Sequence, residues 1–258
     1  MKNRTKELLN DGKAAFGVQL RLGSPAIAEI YALAGFDFVM FDGEHAPQTP
    51  AGMQAQIQAI SSTDATPIVR LSNGSPDQIQ VYTDMGALGV FSPFVCTAEQ
   101  ARIAGDALLY PPAGTRGFGP SRACGYGSDA NYFKEANDQM LYIANIEHGD
   151  AIKNIDEILA VESLDTFVIG PCDLSISLGV PMDFEHPKMK DAIQTVLKAA
   201  EQAGKPAGTA VYGGDIFEED TYKRFIDMGF QLILVAGDEW MLNSSCNQVM
   251  KSISKLQG

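Results

Sequence analysis

Eight short apolar runs recur along the whole sequence, and they are too continuously hydrophobic to be strands with one face in water. They are AAFGVQL (14–20), DFVMFD (37–42), TPIVRL (66–71), GVFSPFV (89–95), LYIANIE (141–147), TFVIGP (166–171), PAGTAV (206–211) and LILVAG (232–237). Strands buried on both faces of a parallel sheet read this way. Helical patterns fill the gaps. SPAIAEIYALAG begins with a capping Ser24 and a first-turn Pro25 and stops at Gly35. DAIKNIDEILAVE puts Ile152, Ile155, Ile158 and Leu159 on one stripe, and HPKMKDAIQTVLKAAEQAG ends on Gly204, which suits a C-cap. Strand and helix in strict alternation imply right-handed βαβ units, and eight of them closing on themselves make a (β/α)8 TIM barrel. An open doubly wound sheet is the alternative. The 258 residues suit one such domain, 1–258, with no linker or strong repeat.

The 96–140 connection is much longer than the others, and its middle, YPPAGTRGFGPSRACGYGS, is dense in Gly, Pro and Arg. It reads as a long active-site loop over the C-terminal mouth, where barrel active sites form.

Nineteen basic against 32 acidic residues give a net charge of −13, which argues against nucleic acid or an anionic membrane as the main partner. Cys96, Cys124, Cys172 and Cys246 show no CxxC spacing and read as reduced thiols. The N-terminal stretch lacks an apolar core like that of a signal peptide, and no apolar run reaches the ~18 residues of a membrane span. The expectation is a soluble, cytoplasmic protein.

In a barrel the informative positions are the strand C-termini. The second strand ends in Asp42, Glu44 and His45, the third in Arg70, the fifth in Asn145, Glu147 and His148, and the sixth leads to Asp173. Glu147 and Asp173 follow adjacent strands, and two hard carboxylates with other positions left to water and substrate suit an octahedral Mg²⁺-like or Mn²⁺-like ion. Each acid has a plainer reading as a cap of the helix that follows. Arg70 either captures a carboxylate or oxyanion, or forms an internal ion pair with an acid such as Asp42. His45, beside two acids, is a candidate general base. His148 is a candidate neighbour of the metal ligand, and His186 reads as a surface residue. No lysine lies within a strand, and Lys205 sits at the wrong end of the seventh, so metal chemistry is favoured over a Schiff base. No G-x-S-x-G elbow, Walker A loop or strand-following G-x-G-x-x-G is present.

FVMFDGEHAP, YPPAGTRG and IEHGDAIKNIDEILAVESLDTFVIGPCDLSISLG together resemble the HpcH/HpaI aldolase family, the class II pyruvate aldolases typified by 4-hydroxy-2-oxoheptanedioate and 2-dehydro-3-deoxyglucarate aldolases. The resemblance implies reversible, metal-dependent cleavage of a 4-hydroxy-2-oxo acid to pyruvate and an aldehyde. It implies Glu147 and Asp173 as metal ligands for Mg²⁺ or Mn²⁺, with Co²⁺ also admissible. It implies Arg70 as the holder of the pyruvate carboxylate and enolate oxygen, and His45 as base with Asp42 as its partner. Asp84 would reach the site across a subunit interface of a homohexamer, a trimer of dimers. The backbone around Gly170, Pro171 and Cys172 would donate to the pyruvate carboxylate, with Asn145 in the substrate pocket. The chain departs from the family at Asn145, where Gln is common, at His148, and in RLSNGSPDQ, differences that bear on the aldehyde half of the substrate. Two other readings are a citrate-lyase-β-like lyase of a CoA thioester and a non-catalytic oxo-acid or metal binder.

Overall fold

A computed structural model describes residues 2–257. Eight parallel strands close into a barrel in chain order, β1 pairing with both β2 and β8. They are β1 (Ala15–Leu20), β2 (Phe38–Asp42), β3 (Thr66–Arg70), β4 (Gly89–Ser92), β5 (Leu141–Ile146), β6 (Thr166–Ile169), β7 (Ala207–Ala210) and β8 (Phe230–Gly237). Each overlaps an expected run, and the open-sheet alternative is excluded.

The continuous apolar runs resolve into two cores. Phe38, Met40, Ile68, Phe91, Leu141, Ile143, Val168, Leu232 and Leu234 fill the barrel. Their sequence neighbours, including Val39, Phe41, Val69, Val90, Tyr142 and Phe167, face the helices. This is the period of two hidden inside uniformly hydrophobic strands. Gly17 belongs to the interior for a steric reason, since a Cβ there would lie 2.2 Å from the Phe38 ring.

The helices are α1 (Arg4–Asn10), α2 (Pro25–Leu33), α3 (Pro50–Ala59), α4 (Pro76–Asp84), α5 (Ala98–Leu108), α6 (Tyr132–Gln139), α7 (Gly149–Lys153), α8 (Ile155–Leu159), α9 (Pro171–Ser177), α10 (Pro187–Ala203), α11 (Glu219–Asp227) and α12 (Asp238–Gln257). Five of them open on proline, which spares an N–H that would have had no helical partner. Ser24 caps α2 by accepting from the Ile27 N–H at 3.4 Å, and Gly204 ends α10 in the left-handed region. The expected single helix through 150–162 is instead α7 and α8, broken at Asn154, whose amide reaches across to the Cys96 carbonyl at 2.8 Å.

Helix α1 seals the N-terminal mouth. Buried Asn3 donates to the Leu88 and Gln139 carbonyls, and Thr5 donates through its N–H to Thr66 Oγ1 at 3.1 Å and through its hydroxyl to the Asp37 carbonyl at 3.1 Å. The other mouth is where polar chemistry collects.

The 96–140 expectation needs correction. That stretch holds α5, a 3-10 turn over Arg122–Gly127 and α6, so the irregular part is 109–121. It does not lie over this chain's own C-terminal mouth. Arg116 pairs with Asp84 at the end of α4, and Arg122 donates to the Met85 carbonyl. Helix α4 leaves the C-terminal end of β3 and returns to the N-terminal end of β4, so these contacts fix the segment at the opposite pole. Interactions between Tyr110, Tyr132 and Phe133, with Arg116 stacked 4.5 Å from the Tyr110 ring, hold it there.

All four cysteines are free. No helix among the described residues is long and apolar enough to cross a membrane.

Candidate active site

The barrel-facing parity of the strands builds the site. Following Phe38 and Met40 inward, the next β2 position is Asp42; following Ile68, the next on β3 is Arg70; following Leu141 and Ile143 come Asn145 and then Glu147. One step past each apolar layer the interior turns polar.

Asp42 has no exposed surface and is the anchor of the cluster. It accepts two bonds from Arg70, one from Nε at 2.9 Å, and one from Gln19 Nε2 at 2.6 Å. The backbone N–H groups of Glu44 and His45 add bonds of 2.9 and 3.1 Å. Burial acts to raise its pKa, but the Arg70 bonds and charge and the two amides outweigh it and hold the carboxyl below its ordinary value. The internal pair between Arg70 and Asp42 therefore exists. It leaves the far edge of the guanidinium, Nη1, facing Glu44 Oε2 at 3.3 Å.

Glu44, read from the sequence only as one of the two acids beside His45, is central. Oε2 is buried without a hydrogen bond, close to Arg70 and 3.6 Å from His45 Nε2. Burial raises its pKa, the Asp42 and Asp173 charges adding to it against Arg70 and His45. His45 itself is half exposed. Its imidazole faces Glu44; Asp42 meets only its backbone N–H, because the Asp42 oxygens are taken by Arg70, Gln19 and the turn. The expected Asp42–His45 imidazole pair is thus replaced by Glu44–His45.

Glu147 is 3% exposed. Oε1 accepts from the Phe94 N–H at 2.8 Å and Oε2 from the Asn145 amide. Burial raises its pKa to about 7, with the Glu44 and Asp173 charges adding to the effect while Phe94 N–H and Arg70 oppose it. Neither acid caps a helix. His148 caps α7, accepting from the Asp150 N–H at 3.2 Å, and Gly170 is the N-cap of α9, with Asp173 two residues into its first turn.

Gly170 has a steric duty, since a Cβ there would lie 2.8 Å from Glu147 Oε2 and 3.1 Å from Asn145 Oδ1. Its N–H is spent on the Ile146 carbonyl at 3.2 Å and Pro171 has none, which leaves the N–H groups of Cys172 and Asp173 as those in the first turn of α9 without a helical acceptor.

Asp84 is not brought to this site. It lies at the opposite pole, paired with Arg116 at 2.9 Å. Lys205, half-buried, lies just before β7 and donates to the Leu164 carbonyl, also away from the acids. His186 caps α10.

The residues fit a divalent cation. Three carboxylates influence one another across the mouth, Asn145 Oδ1 is a buried oxygen without a partner, and Gly170 keeps the space beside Glu147 clear. A proton near neutral pH or a cation relieves the same repulsion. Among the described residues no three His, Cys, Asp or Glu side chains are gathered tightly enough to enclose an ion alone. Two carboxylates with open positions is the arrangement that also admits substrate oxygens.

A profile of the HpcH/HpaI aldolase/citrate lyase family matches residues 16–242. The chain is 37% identical over 244 residues to a 4-hydroxy-2-oxo-heptane-1,7-dioate aldolase of Klebsiella pneumoniae, covering 94% of this chain and 90% of the relative. It is 38% identical over 221 residues to a 2-keto-3-deoxy-L-rhamnonate aldolase of Escherichia coli, covering 85% and 83%. A solved HpcH/HpaI aldolase/citrate lyase family structure from Burkholderia cenocepacia superposes with a TM-score of 0.91 at 30% identity over 98% of this chain and all of that one.

Proposed function

The chain belongs to the HpcH/HpaI aldolase/citrate lyase family and is an aldolase, and from that premise we propose how its strand-end residues cleave a 4-hydroxy-2-oxo acid to pyruvate and an aldehyde. The observation that carries the reading is Glu147, a buried carboxylate held by Phe94 and Asn145 and facing the charges of Glu44, Asp173 and Arg70. Such a cluster suits a cation and a negatively charged intermediate, and it has no lysine with which to form an imine.

Glu147 and Asp173 would hold the ion, Mg²⁺ or Mn²⁺ by their hard oxygens. When bound, a divalent ion supplies Lewis-acid stabilisation of the charge that develops as a 2-oxo acid becomes an enolate. Arg70, locked in position by Asp42, turns its Nη1 edge toward that charge. Glu44 occupies this edge in the free site and must yield it to the substrate oxygen. His45 accepts the 4-hydroxyl proton as the C3–C4 bond breaks, and Glu44 beside Nε2 stabilises the imidazolium. The Cys172 and Asp173 N–H groups point the start of α9 at the pyruvate carboxylate. Asp84 contributes only from a second copy, because its own chain holds it at the far pole.

The two named relatives differ in the aldehyde half. Removing pyruvate from a heptane-1,7-dioate leaves a four-carbon aldehyde ending in carboxylate, whereas a deoxy-rhamnonate leaves a neutral hydroxyaldehyde. The test of the function is pyruvate release from 4-hydroxy-2-oxo acids. Release that stops with EDTA, returns with Mg²⁺ or Mn²⁺ and resists borohydride supports it; release indifferent to chelation overturns it.

A further inference from the structure

The C-terminal mouth has a second half that the acids do not occupy. At the C-terminal ends of β1, β7 and β8 lies a cavity of about 320 Å³ lined by Gln19, Val211, Ile216, Leu234, Val235 and Trp240, with glycines between them. It adjoins the reacting cluster directly, since Gln19 in its wall donates to Asp42, which holds Arg70. No lining residue carries a charge; the Gln19 amide and the Trp240 indole N–H are its only polar side-chain groups. Two arginines reach its rim, beside Gly237 and Gly213, and their charges are paired or stacked outside it, with Arg21 Nε alone lacking a hydrogen bond. Arg21 pairs with Glu239 at 3.1 Å and Asp42 at 3.6 Å, and donates to the His45 carbonyl. Arg224 donates to the Tyr212 and Gly213 carbonyls and stacks 4.6 Å from the Phe225 ring.

We infer that this cavity receives the aldehyde half of the substrate and selects a short, neutral aldehyde over one ending in a carboxylate. The inference rests on the aldolase reading above and deepens it. In the addition direction the enolate C3 bonds to the aldehyde carbon, and the resulting alkoxide takes its proton from His45. The remainder of the aldehyde then lies against Val211, Ile216 and Leu234. An ionised carboxylate there would lose water and meet no cation in the lining, only the Trp240 indole N–H, a cost that neutral chains of equal length escape. Sites that leave a buried charge or polar group unpaired discriminate more strongly than sites that merely lack a methylene.

The test compares aldol addition of pyruvate to propanal, lactaldehyde and 4-oxobutanoate by the metal-loaded enzyme, with pyruvate methyl-proton exchange measured without aldehyde. The expected kcat/KM is at least about tenfold higher for the neutral aldehydes. Ile216→Arg, in the loop after β7, should shift that ratio about tenfold or more toward 4-oxobutanoate, each rate being taken relative to the variant's own pyruvate exchange. A wild-type preference for 4-oxobutanoate, or an unchanged ratio in folded Ile216→Arg, overturns the inference. Absence of pyruvate exchange fails the aldolase reading instead, so the two failures are distinguishable.

Discussion

Arg70 and Asp42 form a two-bond ion pair in which the carboxylate has no exposed surface and the guanidinium very little. The pair fixes a cation at the inner edge of the mouth with one side left for substrate. Burying both charges is costly, and the bonds from Gln19, Glu44 and His45 to Asp42 are what make it tolerable.

Removing Asp42 should therefore harm both stability and catalysis. Asp42→Ala leaves the guanidinium without its partner, and unfolding in urea should show a loss of about 3–5 kcal/mol. Aldol cleavage should fall in parallel because Arg70 is no longer held. A variant with wild-type midpoint and rate would contradict this.

His45 acts by proton transfer, so His45→Ala should lower kcat by about 10²–10⁴-fold with the fold intact by circular dichroism. A near-wild-type rate of retro-aldol cleavage would take it out of the mechanism. Glu44→Gln should reproduce part of that loss, since the imidazole then faces a neutral amide.

Gly170 can be tested sterically. Its backbone, at φ −84°, is open to any residue, so Gly170→Ala adds no backbone strain. The new methyl would press on Glu147 and Asn145. Weaker Mn²⁺ affinity by titration and lower activity are expected, with an overpacking cost of about 1–3 kcal/mol. Unchanged Mn²⁺ binding would show that the space beside Glu147 is not used.

The raised pKa of Glu147, about 7, gives the metal-free protein a pH signature. The folded state holds this proton more tightly than the unfolded chain does. The stability associated with it is full below the unfolded carboxylate pKa and is lost as pH rises to about 7. Metal-free Glu147→Gln should lack that decline in its unfolding midpoint. Cation binding, which needs the ionised carboxylate, should weaken in the wild type as pH falls below about 7. A binding constant flat from pH 8 to 5.5 would contradict the assignment.

Much of this was legible in the sequence because barrel geometry turns strand ends into a list of positions. The eight runs, the capping Ser24 and the terminal Gly204 all carry local signals, and Asp42, Arg70 and Glu147 follow from parity once the inward residues are known. What sequence left open was partnership, since it offered Asp42 both to His45 and to Arg70. Asp42 stands three residues before His45, yet its side chain belongs to Arg70, 28 residues on, because β2 and β3 pair Asp42 with Arg70 in register. Glu44 is the clearest omission; its signal was its place in DGEH, between two residues already assigned. Gln19 was hidden inside an apolar run, and only the inward alternation Ala15, Gly17, Gln19 marks it. The 109–121 segment misled for a different reason: glycine and proline announce an irregular path without saying which pole it follows.

The most direct test of the central claim is proton exchange at the pyruvate methyl group in D₂O, followed by NMR with and without EDTA. Exchange that requires Mg²⁺ or Mn²⁺, disappears on chelation and is lost in Glu147→Gln is the predicted result. Exchange unaffected by EDTA, or pyruvate trapped on the chain by borohydride, would contradict it.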